Sequence, residues 1–198
     1  MKILLSLILL LGFTINSGVS QSLEPLKISN ASSIEIDGTS TLHDWTAVAN
    51  DFTVDFRVPK DWTKGVDFWQ ANDIKGLVVT VPVEELDSGK GGMDKRMDKA
   101  LKSDDHPRII FNYTDVEFGE SDKLNAKNLI INGELTIAGV TKPVSINVSG
   151  EIMESNALKF SGSFTMNMTE YDVEPPSAML GTIKSGEEIT IRYDIIFQ

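Results

Sequence analysis

An apolar period of two runs through most of this chain and limits it to folds built from half-buried strands. Leu129, Ile131, Leu135 and Ile137 share one parity, while Asn132, Glu134 and Thr136 take the other. Ala138-Gly139-Val140-Thr141 then offers a turn. Lys142-Pro143 begins a return in which Val144, Ile146, Val148 and Ile152 alternate with Ser145, Asn147, Ser149 and Glu151. Successive side chains of a strand point to opposite faces, so residues 123–152 are predicted to form a hairpin with one buried and one wetted face. Pro143 is admissible at a strand start, where no ladder bond needs its missing N–H.

The same period recurs on both sides of that hairpin. Ile34 and Ile36 carry it, as do Phe52, Val54, Phe56 and Val58, and then Leu77, Val79, Val81 and Val83. Leu158, Phe160, Phe164, Met166 and Met168 follow, and Ile189, Ile191, Tyr193, Ile195 and Phe197 form the last set. In 108–118 the parity slips between Ile109, Phe111 and Tyr113 and the later Val116 and Phe118, which predicts a bulge near Thr114-Asp115. Met93, Met97, Ala100 and Leu101 recur instead at helical spacing, predicting one amphipathic helix over 92–102 that His106-Pro107 terminates. A second short helix is admissible over 67–73. Seven or eight strands with local hairpins and one inserted helix predict an all-β domain, either a closed eight-stranded antiparallel barrel or, failing that, a sandwich.

The N-terminus is read as an export signal. Lys2 precedes an apolar run over 3–13, and Gly18-Val19-Ser20 places small residues for cleavage before Gln21. The run is too short for the ~20 residues that a membrane-spanning helix needs, so no transmembrane segment is expected after cleavage. Residues 1–20 are then the signal, 21–32 a loose polar lead-in, and 33–198 the domain. The formal net charge is −11, which argues against nucleic acid and against electrostatic adhesion to anionic bilayers. With no cysteine in the chain, disulfides, thiolate nucleophiles and zinc–thiolate sites are excluded.

Catalytic signatures are missing. There is no nucleophile elbow, His-Glu-x-x-His, phosphate-binding loop or dinucleotide fingerprint. His43-Asp44-Trp45 admits a proton shuttle or a head-group contact, but a strand-connecting turn, with Asp44 bonded to nearby backbone, is the plainer reading. Asp104-Asp105-His106 is a poor metal set, because three adjacent side chains do not converge. No catalytic residue and no metal ligand is assigned. Sequons begin at Asn30, Asn112, Asn147 and Asn167, and bear on structure only in a glycosylating pathway.

Three phrases then carry a resemblance. Gly38-Thr39-Ser40-Thr41-Leu42-His43-Asp44-Trp45, Leu101-Lys102-Ser103-Asp104-Asp105-His106-Pro107-Arg108-Ile109-Ile110-Phe111 and Gly133-Glu134-Leu135-Thr136-Ile137-Ala138-Gly139-Val140-Thr141-Lys142-Pro143-Val144 resemble, in order and spacing, the YceI-like family of exported proteins. The resemblance covers roughly 33–197. It implies a lipocalin-like, eight-stranded barrel holding a polyisoprenoid lipid, no enzyme activity, and a periplasmic or secreted location in a bacterial envelope. No cofactor is implied beyond the bound isoprenoid lipid. The expected partner is an apolar lipid, and the oligomeric state stays open, a homodimer included.

Under that resemblance, Phe52, Phe56, Leu77, Val79, Phe111, Leu135, Ile146, Phe160, Phe164 and Met166 become the expected barrel lining. Met93, Met97, His43 and Trp45 become the expected cavity rim. Alternation alone reports which way a side chain faces and not whether the interior is empty. Without the resemblance, a solid core is the stronger reading of the same residues. An envelope structural or interaction module with a filled core therefore stands as an alternative, and an enzyme acting on an apolar substrate through His43 and Asp44 as a weaker one.

Overall fold

A computed structural model describes residues 23–74 and 76–198; the export signal read in residues 1–20 lies outside the described residues. The strands, in chain order, are β1 (Leu23–Pro25), β2 (Ser33–Ser40), β3 (Trp45–Ala49), β4 (Thr53–Pro59), β5 (Leu77–Pro82) and β6 (Leu86–Asp87). After the helix α1 (Gly91–Ala100) come β7 (Arg108–Gly119), β8 (Ala126–Ile137), β9 (Val140–Ile152), β10 (Leu158–Asn167), β11 (Ser177–Ala178) and β12 (Ile183–Phe197). The described residues thus hold twelve strands rather than eight. The short β1, β6 and β11 carry too few residues to show a period, and β3 buries only the small Ala47 and Ala49, which is why alternation does not count these four.

All pairings are antiparallel, and the sheet runs β1-β4-β5-β7-β8-β9-β10-β12-β2-β3-β6, with β11 hung on β12. Its curl follows from connectivity. β3 and β4 lie near opposite ends of this path, yet only residues 50–52 join them. So few residues reach at most about 14 Å even when fully extended, so the path bends round until its ends are neighbours. The result is an antiparallel curled sheet with one helix, consistent with a lipocalin-like barrel.

The β8–β9 hairpin pairs without a break from Ala126↔Glu151 to Ile137↔Val140. Its turn is Ala138-Gly139, with φ of 49° and 84°, the doubly left-handed geometry that matches the twist of a two-residue hairpin. β9 therefore starts at Val140, and Pro143 sits inside it, opposite Glu134. There is room for it: β10 pairs with β9 only at Ser149–Ile152, leaving one side of the strand unladdered at residue 143. The parity slip in β7 is a register shift between Tyr113 and Asp115 against β8, where the bulge was expected.

Two readings are corrected. The lead-in is not loose over residues 23–32: β1 pairs with β4, the Leu26 N–H donates to the Phe56 carbonyl (2.9 Å), and Ile28 bridges Phe197. This segment ties β4 to the far end of β12. Residues 67–73 form no α-helix; they fold as short 3-10 turns at Val66–Phe68 and Ala71–Asp73, preceded by another at Lys60–Thr63. Among the described residues no helix is long and apolar enough to cross a membrane.

Candidate functional site: an apolar cavity inside the curled sheet

The inner face of the sheet surrounds a cavity of about 600 Å³, within the ~300–1,000 Å³ typical of small-molecule sites. Its two ends differ. At one end Phe56, Trp62, Phe160 and Phe197 form an aromatic plug, with ring centroids 5.6 to 6.1 Å apart for Phe56–Phe197, Phe56–Phe160, Phe56–Trp62 and Phe160–Phe197. Trp62 and Trp69 are fully buried there. At the other end the wall reaches Ser40, Leu42, His43, Lys90, Gly92, Met93, Arg96, Ser177 and Ser185, and Leu42, His43, Lys90, Gly92 and Arg96 are exposed. That end is the mouth.

Between the ends the wall is apolar, and its burial separates an empty interior from a packed one. In β12, Ile189 and Ile191 face inward yet stay half-buried, and the same holds for Leu77 and Val79 of β5, Ile146 of β9 and Phe164 of β10. A solid core would bring such residues close to full burial. Their remaining exposure is surface facing the cavity. Near the plug the same strands carry fully buried residues, such as Leu158, Ile195 and Phe197.

Of the residues expected to line a barrel, Phe56, Leu77, Val79, Phe111, Leu135, Ile146, Phe160, Phe164 and Met166 all border this cavity. Phe52 does not. It precedes β4 in the turn from β3 and packs half-buried against the core outside the cavity wall, because the parity it shares with Phe56 outlasts the strand itself. Met93, Met97, His43 and Trp45 all border the cavity. Met93, Arg96, Met97 and Leu101 form the stripe of α1 and its end that faces inward, as helical spacing requires.

Trp62, Tyr171 and Tyr193 also line the cavity, though the sequence alone assigns none of them to the site. Trp62 and Tyr171 lie in 3-10 turns, where no period marks them. Tyr193 is visible as an inward strand position, but its role lies in its hydroxyl, which donates to the Asn147 carbonyl (2.7 Å) across the unladdered gap between β9 and β10. Burial pushes the Tyr193 phenol well above the usual tyrosine range. Tyr171 is shifted up by burial and then by Glu170, and Tyr113 by burial and then by Asp115.

His43 sits on the rim in the β2–β3 turn, and its Nδ1 pairs with the Asp44 backbone carbonyl at 2.8 Å. A carbonyl only accepts, so Nδ1 is the donor. The turn is organised by Ser40 rather than by Asp44. The Ser40 hydroxyl accepts from the Leu42 and His43 N–H groups (3.2 Å each) and donates to the His43 carbonyl (2.7 Å). Trp45 leans across Gly38, its register partner, and its Nε1 donates to the Thr39 carbonyl (3.0 Å). His106 packs under the β8–β9 turn against Gly139.

Neither Asp94 nor Asp98 of α1 borders the cavity. Asp94 accepts from the Ser88 N–H (2.9 Å) and hydroxyl (2.6 Å). Asp98 is raised above the usual carboxylate range by burial, and then by Asp94, Asp104 and Glu84. Among the described residues no group of three His, Asp or Glu side chains gathers around a common point.

The fold has counterparts in solved structures. Burkholderia cenocepacia BcnA aligns over 86% of this chain and 99% of its own, with a TM-score of 0.65 at 14% identity. A polyisoprenoid binding domain from Saccharophagus degradans, implicated in plant cell wall breakdown, aligns over 88% of this chain and 97% of its own, with a TM-score of 0.61 at 9% identity. The Campylobacter jejuni YCEI protein aligns over 77% and 84%, with a TM-score of 0.54 at 13% identity. At such identities the likeness is one of fold. No curated protein matches the chain in sequence. A family model described as the YceI-like domain matches residues 21–197, taking in the lead-in that β1 builds into the sheet. The chain belongs to the YceI-like family.

Proposed function

We propose that this protein is an exported carrier that holds one isoprenoid-type apolar lipid inside a lipocalin-like barrel and catalyses no reaction. One observation carries this reading: a cavity of about 600 Å³ whose inward-facing apolar residues, Ile189, Ile191, Val79 and Ile146 among them, keep accessible surface. A filled-core module has no use for such a space. Membership of the YceI-like family and fold kinship with a polyisoprenoid binding domain support the same ligand class.

The energetics suit an apolar chain. Burial contributes roughly 0.8 kcal/mol per CH₂, so about fifteen buried carbons contribute roughly 12 kcal/mol, against association costs of about 4–15 kcal/mol. A chain of that length or longer binds without a deep polar contact, and the length and width of the cavity select it. Phe56, Leu77, Val79, Phe111, Leu135, Ile146, Phe160, Phe164 and Met166 are the contacts, and Met93, Met97, His43 and Trp45 frame the entrance. The rim position of His43, with Nδ1 on a backbone carbonyl rather than on the Asp44 carboxylate, gives no general-base pair at the cavity floor. Export and a periplasmic or secreted location belong to the same reading, supported by the apolar run that precedes Gln21.

Organic extraction of protein purified from its native cell envelope, followed by mass spectrometry, tests the proposal. A stoichiometric apolar lipid is the expected result. Protein that is repeatedly empty, and that takes up no added isoprenoid, overturns it.

A further inference from the structure

We propose that the lipid held here carries a single anionic head group, a carboxylate or a phosphate monoester, seated at the mouth between Lys90, Arg96 and His43. The inference rests on the reading of the cavity as a lipid site and adds the chemistry of the ligand's polar end. The chain has 29 acidic residues against 18 basic ones. Even so, among the described residues no Asp or Glu lines the cavity, and its two permanent charges, Lys90 and Arg96, are both positive. On a chain dominated by carboxylates, the mouth of this cavity carries two cations and, among the described residues, no carboxylate.

The local geometry keeps these cations available. Arg96 lies within the inward-facing stripe of α1, between Met93 and Met97, where an apolar residue would serve packing equally well. Its Nη1 donates to the Gly92 carbonyl (2.6 Å), which draws the guanidinium back along the helix toward the mouth. Neither Lys90 nor Arg96 is in an ion pair among the described residues. Of the two helical carboxylates beside Arg96, Asp94 is turned to Ser88, and neither it nor Asp98 borders the cavity. With Nδ1 of His43 held by the Asp44 carbonyl, Nε2 is left as a third polar contact. An anion at this point gains charge-assisted hydrogen bonds from two cations that are in no ion pair among the described residues, while its chain enters the apolar wall. A neutral head group forms no such charged contact.

Equilibrium binding of matched probes to the full mature chain decides the matter. Oleic acid is compared with oleyl alcohol, and dodecyl phosphate with dodecanol, in low-salt buffer at neutral pH. The anionic member of each pair is expected to bind at least tenfold more tightly. In a Lys90→Gln/Arg96→Gln variant that ratio should fall to about one. A circular dichroism spectrum and urea midpoint like those of wild type show that the variant is folded. Added salt should shrink the wild-type ratio, because the contact is near solvent and screened. Equal binding of acid and alcohol, or a ratio that survives the double substitution, overturns the head-group assignment and leaves the lipid cavity standing. Displacement of oleate by inorganic phosphate at comparable concentration also overturns it, by showing a site for a free anion. Failure of all four probes to bind overturns both proposals.

Discussion

The indole of Trp69 stacks on that of Trp62, with ring centroids 5.2 Å apart and planes 17° from parallel, while its Nε1 donates to the Trp62 carbonyl at 2.9 Å. The Trp62 indole in turn donates to Asp73 (3.1 Å). Both polar atoms are satisfied, so two large rings are buried without an orphaned N–H. The pair turns an otherwise irregular stretch of 3-10 turns into the stopper of one end of the sheet.

That arrangement predicts the cost of losing it. Trp69→Ala removes a fully buried ring and is expected to destabilise the fold by about 3–5 kcal/mol, read as a lowered urea midpoint. Trp69→Phe keeps a ring but drops the bond to Trp62, and should cost less than half as much. Equal effects of the two substitutions would show that the hydrogen bond, rather than the packing, holds the plug.

Filling the cavity should separate binding from stability. Val79 is half-buried and faces the open space in the middle of the wall, so Val79→Trp places an indole where the lipid chain would lie. Oleyl alcohol affinity is expected to fall at least tenfold, with the circular dichroism spectrum and the urea midpoint close to wild type. A packed core would instead respond with the loss of about 1–3 kcal/mol that overpacking causes.

The seam between β9 and β10 rests on a missing side chain. A methyl at Gly162 would run into the Tyr193 hydroxyl and the Asn147 carbonyl, the two groups whose hydrogen bond spans the seam. Gly162→Ala is expected to cost about 1–3 kcal/mol and to speed amide exchange in residues 144–148. Gly89→Ala, where an added methyl meets nothing but φ is 70°, should change stability through backbone strain and leave the seam's exchange unaltered.

Alkaline pH should unfold the protein through its tyrosines. The chain has three, and Tyr113, Tyr171 and Tyr193 are all shifted upward in the fold. A raised native pKa means the unfolded chain loses its proton first. The stabilisation is therefore complete below the ordinary tyrosine value of about 10 and declines as pH climbs beyond it. Urea midpoints should be level from pH 7 to 9 and fall above pH 10, and Tyr193→Phe should flatten that fall while lowering the midpoint at pH 8.

The long strands were readable because Leu129, Ile131, Leu135 and Ile137 keep strict parity along β8, and nine of the ten expected lining residues face the cavity for the same reason. Phe52 shows the limit of parity: the alternation continues into a turn, where it no longer means facing inward. Trp62 and Tyr171 escaped because 3-10 turns impose no two-residue period, and β1 because three residues are too few to show one. The cavity itself was not legible. Val79 and Ile146 would alternate identically around a packed interior, and only their residual exposure, a property of the assembled sheet, distinguishes the two.

The placement of β12 between β10 and β2 has a consequence for how the molecule is made. Arg192 meets Glu35 at 2.7 Å across 157 positions of sequence, so β2 leaves the ribosome long before its partner exists. Until residues 183–197 arrive, β2, which carries Ile34 and Ile36, has one unpaired edge. Pairings this distant close slowly. The hairpins from β7 to β10 are therefore expected to form first and the β2–β12 ladder last, so a nascent chain stays open, and available to chaperones, for most of its synthesis.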